Sequence, residues 1–269
     1  MSLSDHQRQR YQRHLVIPDL GEAGQERLAA ASVLVVGAGG LGSPALYYLA
    51  AAGVGRLGLV DGDEVELSNL QRQTLHSTAD LGRPKVVSGA EKLRALNPDV
   101  EVVEYPFRLT AENAGELLSS YDVTVDAVDN YAGRYLLNDA CVLLGKTLVE
   151  GAILRYSGLA MTIAGGETAC YRCVFPEMPD DGAVPGTAEA GVFGPVPGVI
   201  GAIQAAETIK VITGSGVPLY DRLLEYDAHE QRFHEVTVAR EAACPVCGTS
   251  PTITAIGAPQ PSGTGRGEA

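Results

Sequence analysis

Two pairs of cysteines have the spacing of a metal site. Cys170 and Cys173 form one C-x-x-C pair, and Cys244 and Cys247 form a second pair much further along the chain. Four thiolates in this arrangement are a common ligand set for Zn²⁺ and would fill its tetrahedral positions. We therefore predict a structural zinc site, with four reduced, unliganded thiols as the alternative. The fifth cysteine, Cys141, lies in an apolar helical segment and is expected to be a small buried residue.

A glycine-rich turn between a predicted strand and a predicted helix has the pattern of a phosphate-binding loop. Residues 37–42 read GAGGLG and match G-x-G-x-x-G, in which glycines let phosphate approach the backbone and the helix provides free N–H groups. Asp61 ends the next strand, where a carboxylate can accept hydrogen bonds from ribose hydroxyls. The pattern predicts a nucleotide site but does not distinguish NAD from ATP. The alternative is a turn that only packs a helix on a sheet.

A charged cluster follows the glycine loop. Ser68–Gln73 is a polar stretch beyond the second strand, Lys85 opens the next helix, and Asp129 and Asn130 end the fourth strand. Ligands of doubly wound sheets bind at the carboxyl ends of the strands, so Arg72, Lys85 and Asp129 are expected to converge there. Two cations that neutralise phosphate and a carboxylate that can hold Mg²⁺ suit triphosphate chemistry. The alternative is a solvated, salt-bridged surface.

A parallel sheet is needed to bring these residues together, and the apolar pattern predicts one. Strands and helices alternate up to residue 144, which is typical of a doubly wound sheet. After Lys146 two β-rich runs follow each other closely, so the sheet is expected to continue with antiparallel strands. The predicted fold class is α/β, a Rossmann-like sheet that is parallel in its N-terminal half and antiparallel in its C-terminal half, with a structural zinc site. The predicted strands cover residues 32–37, 56–61, 100–105, 121–128, 147–154, 158–164, 219–227 and 232–238, and the predicted helices cover 4–13, 22–30, 41–52, 84–96, 110–118, 131–144 and 198–213.

The same pattern indicates the domain organisation. No linker divides residues 1–251, which are expected to form a single domain. Residues 174–198 are rich in Pro and Gly and predict a mobile crossover loop, and residues 252–269 predict a disordered tail. Near the N-terminus Arg10 and Arg13 are three positions apart, so one continuous helix would place them on the same face.

The composition disfavours two classes of function. The 269 residues carry a formal net charge of −13, which argues against a non-specific nucleic-acid-binding protein. No segment approaches the roughly 18 apolar residues of a membrane span, and residues 1–14 are too polar for a signal peptide. The expectation is a cytoplasmic protein with neither nucleic acid nor membrane among its partners.

Six segments of the chain form a recognisable set: GAGGLGSP, LVDGDEVELSNLQRQTLH, GRPK, DAVDN, CYRC and CPVC. Over residues 8–248 the sequence resembles the ThiF/MoeB family, bacterial relatives of ubiquitin-activating enzymes. The resemblance implies a homodimeric enzyme that uses MgATP to adenylylate the C-terminal glycine of a small ubiquitin-like sulfur carrier. It also implies that Asp129 holds Mg²⁺ and that Arg13 reaches the ATP of the other subunit. The residues that the motifs and the resemblance together assign to catalysis or to the ATP site are Arg13, Gly37, Gly39, Gly40, Gly42, Asp61, Ser68, Asn69, Leu70, Gln71, Arg72, Lys85, Asp129 and Asn130.

One position departs from that family. Many members have a cysteine before the Ala-Glu-Ala-Gly stretch for a thioester, persulfide or mixed-disulfide step, and this chain has Thr187 there. A hydroxyl is a poor substitute for a thiolate near neutral pH, so we expect no covalent sulfur-transfer step on this chain. Adenylylation is still expected, because it needs only charge and positioning. No rhodanese-like extension follows Cys247, so a separate protein is expected to donate the sulfur.

Three functions are compatible with parts of the sequence. The first is adenylylation of a sulfur carrier ending in Gly-Gly, for molybdopterin, thiamine or thiolated-tRNA biosynthesis, among which the sequence does not choose. The second is an NAD-dependent oxidoreductase, which the glycine loop and Asp61 alone would permit. Such an enzyme has no need for Arg72, Lys85 and Asp129. The third is a non-catalytic scaffold that binds a ubiquitin-like protein, which Thr187 favours and the intact ATP-site residues disfavour.

Overall fold

A single mixed sheet organises the part of the chain that the structure, a computed structural model, describes: residues 2–180, 183 and 186–258. Its strands are β1 (Ser32–Val36), β2 (Arg56–Val60), β3 (Glu101–Tyr105), β4 (Val123–Asp126), β5 (Thr147–Leu154), β6 (Ser157–Ala164), β7 (Arg222–Asp227) and β8 (Arg232–Thr237). They are hydrogen-bonded in the order β3-β2-β1-β4-β5-β6-β7-β8.

Helices connect and flank these strands. They are α1 (Asp5–Arg10), α2 (Gln12–Leu15), α3 (Gly21–Ala30), α4 (Gly42–Ala52), α5 (Lys85–Leu96), α6 (Ala111–Ser119), α7 (Tyr131–Leu144), α8 (Tyr171–Val174), α9 (Thr187–Ala190) and α10 (Pro195–Thr213). In the described ranges, no helix combines the length and the apolar character that a membrane crossing requires.

The direction of the strands changes halfway across the sheet. The order from β3 to β5 is parallel, and the order from β5 to β8 is antiparallel. Only Arg155 and Tyr156 separate β5 from β6, and so short a connection can join antiparallel strands but not parallel ones. The predicted fold class is therefore confirmed.

Both faces of the parallel half are buried. Val33 and Val35 of β1 pack with α4, α5 and α10, while Leu34 and Val36 pack with α6 and α7. Successive side chains of a strand point to opposite faces, so a strand covered on both sides must be apolar throughout. The unbroken apolar run thus places β1 inside the sheet, where its C-terminal end lies beside those of β2 and β4.

The N-terminal helix is interrupted, contrary to the prediction of one continuous helix. A turn at Tyr11 separates α1 from α2. Tyr11 is 4% exposed, and its hydroxyl accepts a 2.8 Å hydrogen bond from Asn97 Nδ2. Burial of this ring redirects the chain, so Arg10 and Arg13 do not share the face of one helix. Arg10 Nη1 instead donates to the carbonyl oxygen of Leu96.

The segment predicted as a loop over residues 174–198 contains regular structure. It includes α9, and α10 begins at Pro195 rather than at Gly198. Proline fits this position because the first turn of a helix has no partner for the N–H group that proline lacks. Residues 181–182 and 184–185 lie outside the described residues, and the mobility of the crossover stays a prediction.

The first part of the predicted disordered tail packs on the domain. Ile253 is 2% exposed in a core cluster that includes Val246, and its N–H donates to the carbonyl oxygen of Pro245. Ile256 packs against the same cluster. These isoleucines therefore bury apolar surface within residues 252–258, where the sequence predicted a disordered tail. Disorder of the tail stays a prediction, and residues 259–269 lie outside the described residues.

Candidate active site and metal centre

The C-terminal ends of β1, β2 and β4 surround a cavity of about 460 Å³. The glycine loop, the segments after β2 and β3 and the turn between β4 and α7 form its walls. Parallel α/β sheets bind ligands at this edge, where free backbone groups and helix N-termini meet. The predicted residues that line the cavity are Gly37, Gly39, Gly40, Asp61, Arg72, Lys85, Asp129 and Asn130.

The glycines of the loop have two different roles. Gly37 has a φ of +103°, and a Cβ there would collide with the carbonyl oxygen of Ala127. A Cβ on Gly42 would collide with the carbonyl oxygen of Gly37, so this glycine lets α4 begin directly against the loop. Gly39 and Gly40 line the cavity, and their N–H groups have no acceptor among the described residues. Two amides are thus free for an anion.

Asp61 fixes the loop from the neighbouring strand. Its Oδ2 accepts a 2.8 Å hydrogen bond from the N–H of Ala38, and its Oδ1 accepts one of 2.8 Å from the N–H of Asp63. An ionised carboxylate has about four acceptor positions, so lone pairs are left over for ribose hydroxyls. The location in the cavity wall is compatible with the predicted ribose contact.

A carboxylate between two cations lies in the same wall. Lys85 is only 5% exposed, and its Nζ is 3.3 Å from Asp63 Oδ2, while Arg108 Nη2 is 2.9 Å from Asp63 Oδ1. Burial raises the pKa of Asp63, but the hydrogen bond from Arg108 and the charge of Lys85 outweigh this effect and hold the pKa below its ordinary value. Asp63 therefore stays ionised and pairs the buried ammonium group of Lys85.

The segment after β2 brings two more polar side chains to the cavity. Arg72 Nη1 donates to the carbonyl oxygen of Ser68 over 3.3 Å, which leaves most of its five donors for an anion. Gln73 is 5% exposed; its Nε2 donates to Asn69 Oδ1, but its Oε1 has no partner among the described residues. A buried acceptor without a donor costs about 1–3 kcal/mol, so a polar ligand fits this wall.

A buried ionic cluster lies behind Asp129. Asp126 and Glu150 are at most 2% exposed, and Arg134 Nη1 is 2.7 Å from Glu150 Oε1. Burial raises the pKa of both carboxyl groups, and the charge of Arg134 opposes the rise. Asp126 Oδ1 accepts a hydrogen bond from the N–H of Val128, and Arg134 Nη2 donates to the carbonyl oxygen of Val128. The cluster thus fixes the backbone just before the exposed Asp129.

The four paired cysteines form a second centre. The sulfur–sulfur distances are 3.9 Å for Cys170–Cys173, 3.6 Å for Cys170–Cys244 and 3.4 Å for Cys173–Cys247, and all four sulfurs lie within 4.8 Å of one another. Four ligands about 2.3 Å from a tetrahedral Zn²⁺ would be about 3.8 Å apart, whereas a disulfide requires about 2.05 Å. The geometry fits a four-thiolate metal site.

Neighbouring polar groups support the sulfurs. Asn138 of α7 places its Nδ2 3.9 Å from Cys170 Sγ and accepts a hydrogen bond from the N–H of Tyr171, while the N–H of Glu241 lies 3.4 Å from Cys173 Sγ. Cys141 stands apart from the cluster: it is fully buried, and burial raises the pKa of its thiol to about 12. It is therefore an inert core residue, as expected.

A family model described as the ThiF family matches residues 11–246. The chain belongs to the ThiF family. It is 55% identical, over 90% of its length and 92% of the relative's, to the sulfur carrier protein adenylyltransferase of Thermus thermophilus. It is 48% identical, over 92% of both chains, to the SAMP-activating enzyme E1 of Haloferax volcanii. The predicted enzyme class, an adenylyltransferase, is confirmed.

Solved structures show the same fold. Escherichia coli MccB with MccA-N7isoASN matches with a TM-score of 0.79 and 24% identity, over 91% of this chain and 75% of that one. MccB with AMPCPP and MccA also has a TM-score of 0.79, over 89% of this chain. At this level of identity, the likeness supports the ThiF-type fold.

Several residues implied by the ThiF resemblance lie outside the cavity lining. Gly42 lies beneath the loop. Ser68 and Asn69 accept hydrogen bonds from the side chains of Arg72 and Gln73. Leu70 and Gln71 follow these two residues, and the backbone carbonyl of Gln71 approaches Gly194. Arg13 is exposed on α2 and is not among the described residues that line the cavity.

Some residues that line this ThiF-family cavity were not predicted from the sequence. Asp63 and Gln73 both lie within the segment LVDGDEVELSNLQRQTLH, so their position alone could have suggested them. Phe107 and Arg108 follow β3, another strand that ends at this edge. The same rule that selected Asp129 could have selected these two residues.

Proposed function

We propose that the protein adenylylates the C-terminal glycine of a small ubiquitin-like sulfur carrier ending in Gly-Gly, with MgATP as nucleotide and pyrophosphate as the second product. The observation that carries the proposal is the convergence of Arg72, Lys85 and Asp129 beside the two free amides of the glycine loop. The names of the relatives at 55% and 48% identity support the choice of carrier. A hydride-transfer enzyme has no use for this set of charges at the phosphate end of its cofactor.

The charges of the cavity suit a reaction between two anions. A carboxylate that attacks the α-phosphate of ATP approaches like charge, and pyrophosphate must leave. The amides of Gly39 and Gly40, together with Arg72 and Lys85, would screen this repulsion and stabilise the leaving group. No general base is required, because the attacking carboxylate is already ionised. In this proposal Asp129 would hold Mg²⁺, which would add positive charge next to the phosphates.

The reaction can be tested by carrier-dependent ATP–pyrophosphate exchange. The protein is incubated with ATP, Mg²⁺, labelled pyrophosphate and a purified sulfur carrier from the same genome. We expect exchange with the intact carrier and none with a carrier lacking its terminal glycine, because the shortened tail holds its carboxylate one residue, about 3.5 Å, short of the α-phosphate. Mass spectrometry should show carrier–AMP and no covalent adduct between carrier and enzyme, since Thr187 provides no thiolate.

The controls separate this function from its alternatives. Fluorescence of bound NADH without exchange would favour the oxidoreductase, and carrier binding without exchange would favour a scaffold. A stable enzyme–carrier thioester would contradict the expectation for Thr187 while leaving adenylylation intact. In the proposed function, without such a thioester, a separate donor protein would deliver the sulfur atom to carrier–AMP.

The position of Arg13 suits a role in a neighbouring subunit. Its side chain is exposed and, within the described residues, does not reach its own cavity lining. We infer a homodimer in which Arg13 contacts the ATP bound to the other subunit. Closing the dimer would then complete the phosphate site, as an arginine finger does.

Mixing two inactive variants tests this arrangement. Arg13→Ala and Asp129→Ala should each be inactive, but every hybrid dimer should contain one intact site. Random exchange should therefore restore about a quarter of full activity, because about half of the dimers are hybrids. Arg8→Ala is a matched control, because Arg8 pairs with Glu22 on the surface, and it should be fully active alone. No recovery, with subunit exchange confirmed by native mass spectrometry, would contradict action across the dimer.

A further inference from the structure

A buried histidine holds the back of the glycine loop. His76 follows the polar segment after β2 and is 7% exposed. Its Nε2 lies 2.9 Å from the carbonyl oxygen of Ala38, and its Nδ1 lies 2.9 Å from Ser88 Oγ of α5. The ring therefore links α5 to the loop whose next two residues line the cavity.

The hydrogen-bond partners fix the state of this ring. A carbonyl oxygen can only accept, so Nε2 must carry a proton. Lys92 Nζ donates to Ser88 Oγ over 2.8 Å and to Asp80 Oδ2 over 2.6 Å. Since Ser88 Oγ already accepts from an ammonium group, its own proton is available for His76 Nδ1. This arrangement fits a neutral imidazole with its proton on Nε2, a donor aimed at the loop, and burial, which lowers the pKa of His76, favours the same neutral form.

The hydrogen bond from His76 to the Ala38 carbonyl oxygen also sets the direction of the Gly39 N–H, because the two groups belong to one peptide unit. In a trans peptide the C=O of one residue and the N–H of the next point in opposite directions, and the described chain has no cis peptide bonds. The Ala38 carbonyl points to His76, so the N–H of Gly39 points away from it. Gly39 lines the cavity, and its N–H has no acceptor among the described residues. The preceding peptide is fixed as well, because the Ala38 N–H donates to Asp61.

We infer that His76 is a positioning residue for the anionic part of the nucleotide: it holds the Ala38–Gly39 peptide so that the Gly39 amide faces the phosphates. A flip of this peptide would direct the Ala38 carbonyl oxygen at the phosphates and replace an attraction by a repulsion. The inference rests on the proposed function, because it takes the occupant of the cavity to be ATP.

Two variants of His76, whose new side chains are similar in length, test the role of the hydrogen-bond donor at Nε2. His76→Gln can keep an N–H group near the position of Nε2, whereas His76→Met fills similar space without one. His76→Met should bind ATP about 10- to 100-fold more weakly, the range for a lost hydrogen bond to a charged group. Adenosine has no phosphate, so its affinity should be unchanged. His76→Gln should recover most of the ATP affinity. Titration calorimetry with ATP and with adenosine measures these affinities.

Three results would overturn the inference: wild-type ATP affinity in His76→Met, equal losses for ATP and adenosine, or equal ATP losses in His76→Met and His76→Gln. If His76→Met does not fold, Ser88→Ala replaces it. Ser88→Ala removes the partner of His76 Nδ1 and should weaken ATP binding to a smaller extent, without affecting the affinity for adenosine. Unchanged ATP binding by this variant would contradict the inference. A wild-type protein that binds no ATP would overturn the proposed function and this inference together.

Discussion

Replacement of Asp129 by alanine should lower carrier-dependent ATP–pyrophosphate exchange by about 10²–10³-fold, the scale of losing one group that stabilises charge in a transition state. Asp129 is exposed in the cavity wall, and the buried cluster around Arg134 fixes the backbone before it. A carboxylate in this position can hold Mg²⁺ against the phosphates. Initial exchange rates at saturating ATP and carrier measure the effect.

The charge of Asp129 can be separated from its shape. Asp129→Asn keeps the size of the side chain but binds Mg²⁺ more weakly, so we expect a similar loss that higher Mg²⁺ concentrations partly reverse. Glu116→Ala removes an exposed carboxylate from α6, outside the cavity lining, and should have no effect. Arg72→Ala and Lys85→Ala should also suppress exchange strongly, but without the response to Mg²⁺. Full exchange by Asp129→Ala would remove this residue from the mechanism.

Removal of the metal is expected to have the largest effect on stability. We predict one Zn²⁺ per chain, bound by Cys170, Cys173, Cys244 and Cys247, whose sulfurs all lie within 4.8 Å of one another. Cys244→Ser should lower the unfolding midpoint, because binding free energy at a structural site is also folding free energy. A loss of about 3–5 kcal/mol corresponds to roughly 10 °C for a domain of this size. Thermal unfolding and metal analysis of the same samples measure both quantities.

A second cysteine provides the control for the metal. Cys141→Ala changes a buried thiol outside the cluster and should keep one Zn²⁺ per chain. The cysteines do not belong to the described cavity lining, so Cys244→Ser should keep exchange activity at temperatures where it stays folded. Purified protein without zinc and with four reactive thiols in the paired positions would contradict the prediction.

Local patterns in the sequence were sufficient for the main architecture. The continuous apolar run of β1 predicts a buried parallel strand, because only a strand covered on both faces needs no polar side. The alternation of such short strands with helices predicts β2 and β4 beside it. The glycine spacing after β1 predicts the loop at the edge of the sheet, and the two C-x-x-C pairs predict the metal ligands. Each of these signals lies within a few residues of the structure that it specifies.

No local sequence pattern predicted the side-chain pairings between distant segments. Burial of Tyr11 against Asn97, which is 86 positions away, breaks the N-terminal helix although the local sequence favours helix on both sides. Ile253 is buried because it packs in the same core cluster as Val246, although the residues around Ile253 predict a polar tail. Tertiary contacts thus overrode local preference at Tyr11 and at Ile253.

The amino-acid sequence by itself determined the sheet, the glycine loop, the paired cysteines and the positions of Asp61, Arg72, Lys85 and Asp129 in the cavity lining, because these follow from periodicity, spacing and strand ends. Only the tertiary structure decided which partners those residues have. It paired Lys85 with Asp63, placed Arg134 behind Asp129 and set His76 against Ala38, which is 38 positions earlier. The physical reason is that hydrogen-bond geometry depends on how packed helices and strands bring separate segments within about 3 Å, a distance that sequence spacing does not encode.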